Sequence, residues 1–289
     1  MNTEYKRILY INLATKEYEF KIHQDLRNYL GGIGVGYKLL LDNIDEASAI
    51  ITCGPLSGYF PYISKACLLY THANRLVEKF GGGVIAAKMN MAGIDGIVLI
   101  GNSPENLHIS VFDQEVTIAT ETALALKDNQ LDLALSKKIA HSDSYFNFGS
   151  LDGLELPLEG HVGINIDTSS SINMVGFYDY EKLYNTLLDD YKMLTVEPGN
   201  NPSCMGCPMG CDKSSKGEDD INVAILPRCL IACGYSEEIF KHIPTVYACL
   251  TSIGYTYHHS DLERVPSLVG EVRANINEVL NKYETIINS

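Results

Sequence analysis

The chain has 289 residues, 46% of them hydrophobic, and 22 Lys and Arg stand against 36 Asp and Glu for a formal charge of −14. This is enough to bury a sizeable core, in two domains or one large one, while the acidity disfavours nucleic acid, whose phosphates it would repel. No run of 18 apolar residues offers a membrane span, and the first seven residues lack the apolar stretch of a signal peptide, so a cytoplasmic, non-membrane protein is expected.

In chain order, Ile8-Leu-Tyr-Ile-Asn-Leu13, a turn at Ala14-Thr-Lys16 and Tyr18-Glu-Phe-Lys-Ile22 alternate as a β-hairpin does. Residues 49–53, 66–71 and 96–101 are short apolar or β-branched runs, and 107–111 with 115–119 make a second hairpin pattern. From about 120 to 175 no pattern assigns elements. Beyond that the period changes: Leu183, Leu187, Leu188, Tyr191 and Leu194 recur at helical spacing up to Pro198-Gly199. Ser236 suits the N-cap of a helix through Ile239, Ile243, Val246, Tyr247, Leu250 and Ile253 to Gly254, which Pro244 must kink or delay. A last amphipathic helix is predicted from about Leu268 to Ile287. The fold class read from this order is α+β. A mainly β domain over residues 1–176 precedes a helical domain over 177–289.

The helical part carries Cys204-Met-Gly-Cys207-Pro-Met-Gly-Cys211, a CxxCxxxC run. Two intervening residues let thiolates reach one soft metal from a tight turn, and the glycines let the backbone wrap it. Thiolate sites hold iron–sulfur clusters or zinc. Structural zinc usually shows two ligand pairs, and no second pair follows, which favours a [4Fe–4S] cluster with its fourth ligand elsewhere over zinc or inert thiols. Eight cysteines in a chain without an export signal also suggest metal work more than disulfides.

Other motifs have blander readings. Gly31-Gly-Ile-Gly-Val-Gly36 lacks the GxGxxG order of a dinucleotide loop and is expected to serve packing. Gly81, Gly82 and Gly83 precede a helical stretch and either cradle phosphate or make a tight turn. Cys229 and Cys233 share a face if their stretch is helical, as packing thiols or as the missing fourth ligand. Cys249 is a weaker candidate at the margin of an apolar stripe. Cys53 and Cys67 fall in strand-like runs and are expected in the core, and His258-His259 in a solvated loop.

Several of these motifs together resemble the aldehyde:ferredoxin oxidoreductases. The resemblance rests on the Lys6–Leu13 hairpin and the Tyr29–Leu40 glycine segment, then on Thr52-Cys-Gly-Pro-Leu-Ser-Gly58 and Phe80-Gly-Gly-Gly leading to Asp95-Gly96. The CxxCxxxC run and Ala232-Cys-Gly-Tyr-Ser-Glu-Glu follow in the family's order. It implies a β domain of the pterin-platform type, a tungsten- or molybdenum-pterin, and a four-iron cluster relaying electrons to ferredoxin. Cys204, Cys207 and Cys211 would be cluster ligands. The family's fourth cysteine comes from a last domain that this sequence does not include.

Departures from the family pattern bear on activity. Lys65 aligns with an arginine placed between cluster and pterin, and it lacks the planar fork that bridges two acceptors. Phe80 stands where an asparagine helps hold the cofactor's phosphates. The second cofactor segment is reduced to about Glu159-Gly-His-Val-Gly163, and Ile221-Asn-Val-Ala224 replaces a stretch with an acid near the metal. The platform residues implied here are Gly81, Gly82, Gly83 and Lys65, and no catalytic residue is assigned. These features predict an iron–sulfur electron-transfer or accessory subunit without a complete substrate site, working with ferredoxin or a partner redox subunit. Tight tungsto- or molybdopterin binding is not expected of the chain alone. The alternatives are a non-catalytic scaffold, with or without zinc, and a split pterin enzyme completed by a partner chain.

Overall fold

The computed structural model describes residues 4–81, 84–120, 130–132, 162–171, 179–192, 224–232 and 236–287. The predicted first hairpin is β1 (Lys6–Asn12) with β2 (Glu17–His23), Leu9 lying opposite Phe20. Its turn is held by the Asn12 side chain, which accepts the amides of Ala14 and Thr15, both at 3.0 Å. A short 3-10 turn, Asp25–Tyr29, leads into α1 (Gly32–Asp42). Then come β3 (Ala47–Cys53), β4 (Ala66–His72), β5 (Arg75–Gly81), α2 (Ile85–Met91) and β6 (Gly96–Ile100).

β5 has no counterpart among the predicted strands. Arg75, Glu78 and Lys79 break its apolar alternation, and Ala73-Asn74, both at positive φ, make the tight turn that folds it onto β4. The six strands form one sheet in the order β2-β1-β6-β3-β4-β5. β7 (Leu107–Phe112), β8 (Glu115–Thr120), β9 (Gln130–Asp132) and β10 (Val162–Asp167) form a second sheet, ordered β8-β7-β10-β9. β10 lies in the stretch where the sequence carried no pattern.

Helices follow: α3 (Tyr180–Asp190), α4 (Ile225–Leu230), α5 (Glu237–Phe240), α6 (Ile243–Ser252) and α7 (His259–Ile287). Pro244 sits in the first turn of α6, where a missing N–H costs nothing, so of the two expectations it is the delayed start that occurs, with the short α5 standing before it. α7 starts well before Leu268 and contains Pro266. Leu262 and Val265, both buried, extend its apolar stripe past the proline. No described helix is long and apolar enough to cross a membrane.

Side-chain alternation along each strand sorts the molecule into layers. Ile8, Tyr10, Ile50, Cys67, Leu69, Phe80 and Val98 point to one face of the first sheet and share a core with α1 and α4 to α7. Their neighbours Leu9, Ile11, Ile51, Leu68, Ile97 and Leu99 point the other way, onto α2 and the inner face of the second sheet. Lys6 is also buried, its Nζ 3.2 Å from Asp95 and 5.3 Å from the centre of the Tyr255 ring. Burial is the largest single influence and would lower its pKa, yet the Asp95 carboxylate and its hydrogen bond, together with Tyr255 and Tyr257, raise it overall and keep Lys6 charged.

Candidate functional site

The segment just downstream of the cysteine run is the best-anchored part of the candidate site. α4 lies in a seat made by the two glycine motifs. Gly32 adopts φ +48, and a Cβ there would meet the carbonyls of Arg228 and Cys229, the latter at 2.8 Å. A Cβ on Gly34 would stand 3.2 Å from the Cys229 Sγ, and one on Gly54 would run into the Leu230 backbone. Thr52 fixes this seat by donating its hydroxyl to the Gly32 carbonyl at 2.8 Å. The packing reading of Gly31–Gly36 therefore describes what these glycines do: they let one backbone lie directly on another.

Charge locks the seat from the side. The Arg228 guanidinium is 8% exposed, pairs with Glu78 of β5, and donates to the Tyr37 hydroxyl at 3.2 Å. Tyr37 in turn donates to Glu78, and Arg273 of α7 approaches the same carboxylate at 3.5 Å. Glu78 thus points into the helical layer, the reason its strand did not read as one. Beyond α4, Ala232 bridges to Ile63, and Ser236 donates to the Tyr62 carbonyl at 2.9 Å. Tyr62 also reaches the Tyr191 carbonyl at 3.4 Å, just after α3.

The loop of residues 54–65 thus meets chain from both sides of the cysteine run. Asn90 of α2 holds it by donating to the carbonyls of Gly54 at 2.9 Å and Ser57 at 2.8 Å. Lys65, immediately before β4, is 2% exposed. Phe80 is 1% exposed and lies beneath Arg228, whose guanidinium is 5.8 Å from the ring centre. Gly81 ends β5 opposite Ala66, while Gly82 and Gly83 lie outside the described residues. Lys65 and Phe80 are therefore interior side chains. Phe80 fills core volume, and its buried ring does not fit the holding of a pterin's phosphates.

Glu237 of α5 accepts the Ala224 amide at 2.8 Å. Sequence reading missed this residue because only the fold brings α5 beside the start of α4.

Cys204, Cys207, Cys211 and Cys233 lie outside the described residues. Cys229 is fully buried in α4, and burial pushes its thiol up to about 12. The helix ends at Leu230 with Ile231 in the left-handed region, so the chain leaves the helix two residues after Cys229. Cys249, on α6, is buried too, its thiol raised to about 12 by burial. Cys53 and Cys67 are core residues, as expected, and burial raises both thiols. His258 and His259 are exposed, one just before α7 and one opening it. Among the described residues, no three metal-ligating side chains converge.

Residues 8–147 match the family described as aldehyde ferredoxin oxidoreductase, N-terminal domain. Among solved structures, the chain resembles the active site complex BamBC of benzoyl coenzyme A reductase in complex with 1,5 dienoyl-CoA. The TM-score is 0.50 at 20% identity, over 66% of this chain and 35% of the matched one. At that identity the likeness is one of fold, and this chain spans about a third of its relative's length. Most of the first hairpin, the glycine motifs and the strands around α2 fall within the matched span, and residues 8–147 are thus an aldehyde ferredoxin oxidoreductase N-terminal domain.

Proposed function

We propose that the chain is an iron–sulfur protein of this oxidoreductase family, an electron-transfer or accessory subunit without a complete substrate site of its own. One observation carries the reading: a CxxCxxxC run, Cys204 to Cys211, follows an N-terminal domain of a family that uses such clusters. Cys204, Cys207 and Cys211 would hold a [4Fe–4S] cluster, with Cys229 or Cys233 as the fourth ligand. The donor set fits, since thiolates are the ligands such clusters take. When bound, the cluster accepts and passes single electrons.

The chain's own residues would position it. The glycine seat and the Arg228–Glu78 pair fix the downstream arm, and Tyr62 fixes the end of α3. Between the two fourth-ligand candidates, the observations favour Cys233. Cys229 would have to lose a proton that burial retains, and to leave a tight contact with Gly34. Lys65 and Gly81 to Gly83 would be what remains of a pterin platform, and the burial of Lys65 and Phe80 supports its not seating a pterin in this chain alone. Ferredoxin or a redox subunit is the partner class implied. The structural relative belongs to an active site complex, which supports completion of this chain by another.

Anaerobic reconstitution tests the reading. Iron and sulfide equivalent to about one four-iron cluster per chain are expected, and Cys204→Ala, Cys207→Ala or Cys211→Ala should each abolish it, because two local thiolates are too few anchors. Cys233→Ala should yield a three-iron signal in paramagnetic resonance while Cys229→Ala leaves the spectrum unchanged. Wild-type iron in all three loop variants would overturn the cluster. Zinc in place of iron would indicate the scaffold, and tungsten or molybdenum in the native protein the split enzyme.

A further inference from the structure

The outermost strand of the first sheet is chemically self-complementary. Among the described residues β2 pairs only with β1, so its other edge presents backbone N–H and C=O groups. Tyr18 and Ile22 on this strand are 43% and 60% exposed, two of the three large apolar side chains so exposed among the described residues. With Phe20 between them, capped by the Arg7 guanidinium at 3.7 Å from the ring centre, they form one apolar stripe. The opposite face carries Glu17, Glu19, Lys21 and His23, and Glu19 and Lys21 pair within the strand at 2.6 Å.

Charges on an edge strand ordinarily repel a neighbouring strand. Here their order matters more than their presence. Lay a second copy antiparallel with the two-fold axis through Phe20, and Glu19 faces the second copy's Lys21, Tyr18 faces Ile22, and Glu17 faces His23. Slide the axis to Tyr18 and Glu17 meets Glu19; slide it to Ile22 and Lys21 meets His23. A parallel arrangement sets Glu19 against Glu19. An axis at Glu19 or Lys21 would set that charge against its own copy, so charge and apolar pattern together favour the register about Phe20, and a two-fold contact is isologous by construction.

We propose that this chain associates with a second copy of itself by antiparallel pairing of β2 about Phe20, joining the two first sheets edge to edge. The pairing satisfies the free backbone edge and covers both copies of Tyr18 and Ile22. It is independent of the cluster.

Sedimentation of the full chain over a concentration series tests this, with circular dichroism to confirm that each variant is folded. The wild type should show a reversible dimer. Lys21→Glu places like charges opposite each other twice across the axis and should weaken association about tenfold or more. Adding Glu19→Lys to it exchanges the two charges and should restore the dimer. Monomer throughout the wild-type series, or a dimer indifferent to both variants, would overturn the proposal.

Discussion

At Gly32 the backbone sits at φ +48 with the Cys229 carbonyl 2.8 Å from where a Cβ would stand, so an added methyl meets both a strained conformation and the α4 backbone. Neither obstacle can yield cheaply, because the second is main chain. Gly32→Ala is expected to cost about 1–3 kcal/mol, read as a lowered urea midpoint with unchanged slope. At Gly36 the nearest obstacle is the flexible end of Leu69, and the same change should cost less. That these glycines serve packing was legible in their spacing. What they pack against was not, since α4 lies nearly two hundred residues downstream. Arg228 was invisible for the same reason: a lone arginine in ILPRCL says nothing of Glu78 or Tyr37.

Among the elements, strands with clean alternation and helices with a clear stripe read correctly from the sequence. Two failures followed from interruptions with a physical cause, Glu78 pointing inward in β5 and Pro266 masking the first turns of α7, while β10 lay where no pattern could be read. The junction of β7 and β10 carries a property that periodicity cannot reveal. Asp113 accepts the hydroxyls of Ser169 at 2.6 Å and Thr168 at 2.5 Å, and these bonds hold its carboxyl below the ordinary range. Asp167 is lowered first by Lys88, at 2.7 Å, and then by the Thr168 amide.

Depressed values mean that both groups add stability above the unfolded carboxylate pKa of about 3.9 and lose it as pH falls through their lowered values. Carboxyl-detected NMR should find both titrating below 3.9. Lys88→Met should move Asp167 upward and leave Asp113 in place. A normal titration of Asp167 in the wild type would remove the α2–β10 ion pair from this account.

For the whole molecule, the α+β class was legible in the order of patterns, and the N-terminal family domain in the glycine and hairpin motifs of the first half. The surroundings of the proposed platform residues were legible only in part. The resemblance set Phe80 against an asparagine, whereas its burial beneath Arg228, and that of Lys65 beside β4, emerged from the fold. The isolated chain is therefore expected to retain no tungsten or molybdenum pterin and to reduce no viologen dye with aldehyde. Catalysis at such centres relies on an enclosed, water-poor site with preorganised donors. Stoichiometric tungsten or molybdenum together with aldehyde-dependent dye reduction would restore a complete enzyme.

The packing of α1 against α4 and α7 has a consequence for synthesis. The helix-facing side of α1 finds its cover in elements made much later, the end of α7 following α1 by about 245 residues. At ribosomal rates of about 5–20 residues per second, an apolar surface including Ile33, Val35 and Leu40 stays uncovered for roughly 12–50 s. The nascent chain thus passes through a long interval in which its first sheet can form while one side of it remains open to water, to chaperones and to other nascent copies.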